Sequence, residues 1–169
     1  FLTKESTNTG LLCQNDDAVV EESQLSIKAI YGEDNRLDWY ESPGLTKEYW
    51  ARATLALIPN GHLIAKNGGY TISATSYKNT VNLCAGQPFE NQPSAAFCSG
   101  FLVSEDLVVT AGHCVRDQSD CDSANFVFDY AKTSSSQFSY NVPSSSVYKC
   151  QEVVVTETGA RDFAVVRLN

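Results

Sequence analysis

The stretch that most constrains the fold is residues 97–115, FCSGFLVSEDLVVTAGHCV. Two of the six cysteines lie in it, with one of only two histidines. Its apolar residues lie on both sides of a polar turn at 104–106. This pattern predicts two short buried strands rather than a helix. His113 follows directly after the second strand. A histidine at a strand end, beside a cysteine, is typical of a catalytic group that the fold holds in place.

This stretch resembles the catalytic-histidine segment of the chymotrypsin-like serine proteases. The resemblance is carried by CSGFLV at 98–103 and LVVTAGHC at 107–114. The TAGHC form is similar to the bacterial, glutamyl-endopeptidase-like branch as much as to the animal trypsins. A second match, DFAVVRL at 162–168, is similar to the family's buried-aspartate strand. The resemblance is strong over 97–169 and weaker over 30–96.

The resemblance implies an all-β fold: a single chymotrypsin-like antiparallel β-barrel with a short helix and an N-terminal extension. In the family this is the N-terminal barrel of a two-barrel fold. Six or seven short strands separated by Gly, Asn and Ser turns also predict an all-β barrel from the residues alone. We therefore divide the chain into an extension or propeptide at 1–29 and the barrel at 30–169. The second barrel of the family has no counterpart in this chain.

The sequence before the histidine motif predicts a helix followed by a hairpin. Ser42-Pro43-Gly44 predicts a helix start, with Ser42 as its N-cap. Residues 54–59 predict the first barrel strand, and the Asn60-Gly61 turn predicts a return strand at 63–65. His62 follows that turn and is interpreted as an exposed turn histidine. Three segments are predicted to be loops: a tethered loop at 81–96, a polar loop at 116–123 and a flexible Ser-rich loop at 131–146.

Six cysteines without a C-x-x-C pair, in a chain with only two histidines, predict disulfides rather than a metal site. A metal ion would need further ligands, because adjacent His113 and Cys114 cannot both point at it. The resemblance implies a Cys98–Cys114 disulfide. Cys121 and Cys150 flank one strand-rich region, and their pairing would leave Cys13 with Cys84, although two other pairings of these four stay open. Disulfides indicate an oxidising compartment, secreted or periplasmic.

Net charge and hydropathy exclude two classes of partner. A net charge of −8 and a pI of about 4.6 argue against a nucleic-acid-binding surface and against an anionic membrane surface. The sequence contains no apolar run of the roughly 18 residues that a membrane span needs. We predict no cofactor. The predicted partners are a protein or peptide substrate and the family's C-terminal barrel.

The resemblance assigns His113 as the general base and Asp162 as the carboxylate that orients it. An unassisted hydroxyl is a poor nucleophile near neutral pH, so a serine protease needs an imidazole to accept its proton. His113 and Asp162 lie 49 positions apart, close to the family's spacing. Asp129 also lies in an apolar strand and is the rival carboxylate, which the family match disfavours.

The chain contains no candidate nucleophile. It has no G-x-S-x-G motif, and it ends seven residues after Asp162. Ser99 belongs to the strand before the histidine. In the family the nucleophile, the oxyanion hole and the specificity pocket come from the second barrel.

The predicted function is therefore the N-terminal portion of a secreted serine endopeptidase. It would supply the histidine and aspartate of a triad that acts through an acyl-enzyme, and it would be inactive alone. The second barrel would be covalently continuous or a separate chain. The alternative is a catalytically inactive protease-like module that binds a protein partner.

The N-terminal extension has two interpretations. Residues 1–28 are polar and carry a cluster of acidic residues, which is typical of a solvated extension. A propeptide is the sharper hypothesis, because IYGEDNR at 30–36 resembles the segment near the mature start of the bacterial branch. In the family a freed N-terminal amine helps to order the active site. Lys28 would be the processing point.

Overall fold

A computed structural model describes residues 35–138 and 140–169 of the chain. Within these residues the structure is predominantly β, which confirms the predicted fold class. The strands are β1 Thr54–Pro59, β2 Leu63–Lys66, β3 Gly69–Ile72, β4 Thr75–Ser76, β5 Pro93–Ser94, β6 Cys98–Leu102, β7 Leu107–Thr110, β8 Ala124–Val127, β9 Lys132–Ser134, β10 Gln137–Phe138, β11 Asn141–Pro143, β12 Val147–Glu157 and β13 Phe163–Leu168. The α-helices are α1 Tyr77–Val81 and α2 Gln118–Ser123.

Six strands close into an antiparallel barrel in the order β1-β6-β7-β13-β12-β8. Side chains alternate between the two faces of each strand. In β13 the side chains of Ala164, Val166 and Leu168 are buried, whereas those between them are only half-buried. The inward side chains of the other strands complete the core, which includes Leu55, Leu57, Val108 and Phe126. The apolar residues that alternate along the sequence of each strand thus form the core of the barrel.

The predicted first barrel strand is present as β1 and the strand predicted at 63–65 is present as β2, but the predicted pairing of the two is wrong. β1 pairs with β6 on one side and with β8 on the other, so neither of its edges is open to β2. A 3-10 turn at Asn60–His62 leads the chain away from the barrel. β2 then pairs with β3 in a separate three-stranded sheet, which β11 completes.

The short helix predicted after Ser42-Pro43-Gly44 is present, but Ser42 is not its N-cap. Ser42 instead ends a 3-10 turn at Trp39–Glu41, and a π-helical turn follows at Thr46–Ala51. The 3-10 turn is set by a reciprocal cap, in which the backbone N–H of Asp38 donates to Glu41 Oε2 at 2.9 Å. The D-x-x-E spacing at 38–41 carried this signal in the sequence.

The three predicted loops contain regular structure. The segment 116–123 includes α2, because Asp117 caps the helix by accepting a hydrogen bond from the Asp120 backbone N–H at 3.0 Å. The Ser-rich segment contains the hairpin β9–β10 and the strand β11. The segment 81–96 includes the end of α1 and β5, which pairs with β4.

Two disulfides bind these elements together. Cys98–Cys114 links β6 to the turn after β7, and Cys121–Cys150 links α2 to β12. The predicted partner of Cys84, Cys13, lies outside the described residues, as does the extension 1–29. No helix of the described part is long and apolar enough to cross a membrane.

Candidate active site

The barrel topology brings His113 and Asp162 together. His113 lies in a 3-10 turn, Gly112–Cys114, just after β7, and Asp162 directly precedes β13. β7 and β13 are antiparallel neighbours, with Thr110 opposite Ala164. In such a pair the end of one strand lies beside the start of the other. Two residues 49 positions apart therefore meet at one end of the strand pair.

Asp162 accepts two hydrogen bonds from His113. Its Oδ1 accepts from the His113 backbone N–H at 2.8 Å, and its Oδ2 lies 2.6 Å from Nδ1 of the ring. An ionised carboxylate can only accept hydrogen bonds, so the ring proton resides on Nδ1. The lone pair of Nε2 then points away from Asp162. This is the tautomer that a general base requires.

His113 also tunes the acidity of Asp162. The hydrogen bond from the His113 ring, followed by that from its backbone N–H, lowers the pKa of the Asp162 carboxyl below its usual range. The carboxylate is therefore ionised throughout the neutral pH range. It can hold the Nδ1 proton and stabilise an imidazolium when one forms.

Gly112 lets the histidine turn pack closely against the barrel. A Cβ atom built on Gly112 would lie 2.0 Å from the carbonyl oxygen of Glu157 and 3.0 Å from that of Phe163. Both are backbone atoms of β12 and β13, so they cannot move aside like a side chain. Only glycine allows the turn to lie at this distance. The sequence interpretation quoted Gly112 within the motif but missed this role, because the Glu157 backbone that it packs against lies 45 positions later in the chain.

The group Cys98, His113 and Cys114 has the composition of a metal site but not the chemistry. Their potential ligand atoms lie within 4.8 Å of one another. The two sulfurs are bonded to each other, so neither is a thiolate that could bind a metal ion. Cys98–Cys114 instead anchors the chain next to His113.

The His113–Asp162 pair is accessible to solvent. The side chains are 66% and 42% exposed, respectively. Among the described residues, no group forms a hydrogen bond with Nε2 of His113. In particular, no serine or threonine hydroxyl of these residues does so. The described part of the chain thus presents a base and its orienting carboxylate on an open surface.

The structure places the other two candidates elsewhere. Asp129 follows β8 with a left-handed φ of 60°, and its carboxylate accepts a hydrogen bond from Ser146 Oγ at 2.8 Å. His62 lies exposed in the turn Asn60–His62. Neither residue is in hydrogen-bond contact with the His113–Asp162 pair.

A wide cleft of about 860 Å³ lies apart from this pair, and the sequence interpretation did not anticipate it. Neither His113 nor Asp162 lines it. One wall holds Asp38, whose carboxylate accepts hydrogen bonds from Lys132 and Gln92. Since these contacts link three distant segments, they account for Asp38 as a structural residue.

The closed six-stranded antiparallel barrel is consistent with the barrel of the chymotrypsin-like serine proteases. The family model described as Trypsin matches residues 66–169, well over half of the chain, and the chain therefore belongs to the Trypsin family. Family membership identifies a serine protease domain, a hydrolase class that acts on peptide substrates. The matched region begins well before the stretch of strong resemblance. Searches among curated proteins and among solved structures gave no match.

Proposed function

We propose that the chain is the N-terminal portion of a secreted serine endopeptidase and that His113 and Asp162 are two members of its catalytic triad. The observation that carries this proposal is the paired hydrogen bond from His113 to Asp162 at 2.8 and 2.6 Å. It orients the ring and leaves Nε2 available as a base. Membership of the Trypsin family supports the same assignment.

In the proposed mechanism, Nε2 of His113 accepts the proton of a serine hydroxyl as the oxygen attacks the substrate carbonyl. The imidazolium then donates that proton to the leaving amine, and an acyl-enzyme remains. Water, deprotonated by the same nitrogen, hydrolyses the acyl-enzyme. Asp162 stays ionised and orients the ring throughout.

We propose that the serine belongs to a C-terminal barrel, either covalently continuous with this chain or carried by a second chain. The open surface around Nε2 supports this arrangement, since a hydroxyl supplied from elsewhere needs access to it. Two disulfides among the described residues support secretion into an oxidising compartment. The resemblance of residues 30–36 to the segment near the mature start of the bacterial branch supports a place in that branch.

The test uses the active protease as its source secretes it. We expect His113→Ala to lower kcat by about 10⁴-fold or more, and Asp162→Asn to lower it by about 10⁴-fold. Labelling by a serine-directed fluorophosphonate should fall in parallel. The matched control is His62→Ala, which changes the other histidine and should leave both readouts unchanged. Full hydrolysis and labelling in His113→Ala would contradict the proposal.

Residues 1–29 are proposed to be an N-terminal extension or propeptide. Residues 30–36 resemble the segment near the N-terminus of the mature proteases, and this supports the hypothesis of a propeptide. N-terminal sequencing of the active secreted enzyme should then find a new terminus near Ile30. An active enzyme that begins at Phe1 would contradict it.

The second candidate function is a catalytically inactive module that binds a protein partner. It is favoured by large apolar side chains on the outer barrel surface, such as Phe101, which is 51% exposed. A protein of this kind would bind its partner without any fluorophosphonate labelling, alone or in the complex.

A further inference from the structure

Cys84 forms a disulfide whose partner is not among the described residues. Cys84 is disulfide-bonded, and none of the described cysteines is a free thiol. The four other described cysteines pair with one another in the two disulfides given above. Since the chain has six cysteines, the partner that remains for Cys84 is Cys13. Cys84 lies in the segment 83–92 between α1 and β5, which we call the anchor loop.

The anchor loop is held by hydrogen bonds at both of its ends. The backbone N–H of Leu83 donates to the carbonyl oxygen of Lys78 at 2.9 Å, and the N–H of Lys78 donates to that of Glu90, also at 2.9 Å. The Glu90 carboxylate accepts from the backbone N–H of Gly86 at 2.8 Å and lies 3.8 Å from the Lys78 ammonium. These contacts fix the loop against α1, so a cross-link at Cys84 has a defined position in the fold.

The described part of the chain begins beside the anchor loop. The Arg36 guanidinium lies over the ring of Phe89, 4.8 Å from its centroid. The side chain of Gln92 donates a hydrogen bond to the carboxylate of Asp38. Phe89 and Gln92 both belong to the anchor loop, so the chain that follows the extension packs against it. A Cys13–Cys84 bond would therefore bring both ends of the intervening segment to one loop.

We infer that Cys13 is bonded to Cys84 and that this bond keeps residues 1–28 attached to the protease after processing near Ile30. The inference rests on the proposed function, in which the extension is a propeptide. The predicted cleavage point, after Lys28, lies between Cys13 and the barrel. Hydrolysis there consumes one water and leaves a carboxylate on Lys28 and a new amine, without oxidising or reducing the disulfide. The extension is thus a second chain of the mature enzyme rather than a released fragment.

Retention of the extension changes the charge of the mature protease. Residues 1–28 contain five acidic residues and two lysines, and so carry −3 of the chain's net charge of −8. A tethered segment has an effective concentration on the order of 1 mM, so any contact that it makes with the barrel persists after cleavage. A released segment would instead be diluted. The mature protease therefore keeps the charge of its precursor, and it loses that charge only when the disulfide is reduced.

The direct test is N-terminal sequencing and mass spectrometry of the active protease as secreted, with free thiols alkylated beforehand. We expect the unreduced protein to yield two terminal sequences, one at Phe1 and one near Ile30. Reduction should then release a fragment of about 3 kDa, the share of 28 residues in a chain of 18.5 kDa and 169 residues. In a digest made without reduction, the peptide that contains Cys13 should be linked to the peptide that contains Cys84.

A matched set of cysteine variants tests the tether. The variant with both Cys13 and Cys84 changed to serine should release the extension on processing, so the unreduced protein should show the mature terminus alone. The control is the variant with both Cys121 and Cys150 changed to serine. It lacks a disulfide that lies entirely after the processing point, so both termini should remain. If the first variant is not secreted, the linked peptides of the native protein decide the question.

The possible outcomes separate this inference from the proposals on which it rests. A single terminus near Ile30, with no fragment released on reduction, would overturn the inference, because the extension would have been shed. A Cys84 peptide linked to any cysteine other than Cys13, in this chain or in a second copy, would overturn it as well. Phe1 as the only terminus of an active protease would instead defeat the propeptide hypothesis. Retained activity in His113→Ala defeats the catalytic assignment, on which the disulfide does not depend.

Discussion

The Asp162 carboxylate accepts hydrogen bonds from both the backbone N–H and the ring of His113. We expect these two bonds to make the stability of the folded protein depend on pH. Its pKa is lowered in the folded protein by the hydrogen bonds from His113. The stabilisation is therefore fully present above the ordinary carboxyl pKa of about 4 and is lost as the pH falls through the lower folded value. The effect is modest, because the side chain is 42% exposed.

We expect the unfolding free energy of Asp162→Asn to fall less steeply than that of the native protein below about pH 4. Urea denaturation at a series of acid pH values measures this difference. Glu105→Gln is the control, since Glu105 is exposed and makes no side-chain hydrogen bond or ion pair with the described residues. Parallel curves for the native protein and Asp162→Asn would contradict the linkage.

Gly112 is expected to tolerate no side chain. In Gly112→Ala the new methyl group meets the Glu157 carbonyl oxygen, so the turn that carries His113 must shift. We expect a loss of about 3 kcal/mol in unfolding free energy, in the range for overpacking. The control is Gly159→Ala, where a Cβ meets nothing within 4 Å and the change should be neutral or slightly stabilising. Equal stability of the two variants, in chemical denaturation, would refute this account.

Among the elements, the two disulfides differ in what they hold. Cys98–Cys114 closes a loop of 16 positions next to the His113–Asp162 pair, whereas Cys121–Cys150 closes one of 29 positions between α2 and β12. By loop-closure entropy each should contribute about 3–4 kcal/mol, with the longer loop contributing about 0.5 kcal/mol more.

Paired Cys→Ser changes test this difference. The variant with both Cys98 and Cys114 changed to serine and the variant with both Cys121 and Cys150 changed to serine should each unfold at a lower temperature than the native protein. The variant that lacks Cys98–Cys114 should in addition shift the NMR signals of the His113 ring protons, whereas the variant that lacks Cys121–Cys150 should not. Unchanged His113 ring signals in the first variant would show that the disulfide does not position His113.

The sequence predicted strands where a local pattern of residues specified them. It predicted strand pairing less well, because pairing depends on residues far apart in the chain. The run of short strands separated by Gly, Asn and Ser turns predicted the barrel, as did the family resemblance, which also indicated that His113 and Asp162 meet. The partner of β1 was mispredicted, because pairing depends on which edges β6 and β8 leave open. The role of Gly112 depends on Glu157, 45 positions later, which no local pattern reveals.

At the scale of the whole molecule, a long-range cluster secures the segment before the barrel. Lys132 Nζ donates to Asp38 Oδ2 at 2.7 Å across 94 positions, and Gln92 donates to the other carboxylate oxygen. Asp38 is only 9% exposed, so this pair is better shielded from water than a surface ion pair.

Asp38→Ala should therefore cost about 1–2 kcal/mol, since it leaves two half-buried donors without this acceptor. The control is Lys78→Ala, which removes a more exposed pair with Glu90 at 3.8 Å and should cost less than about 1 kcal/mol. Urea denaturation compares the two. A smaller loss from Asp38→Ala than from Lys78→Ala would show that the cluster is not a structural tie.

The closure of the barrel limits how any other polypeptide can join it. Every one of the six strands has a hydrogen-bonded neighbour on both sides, so the barrel offers no open strand to extend. An incoming chain must instead meet it face-on, through side chains. The same closure removes the template for edge-to-edge aggregation, so the barrel does not polymerise through its backbone even though apolar side chains such as Phe101 are exposed on its outside.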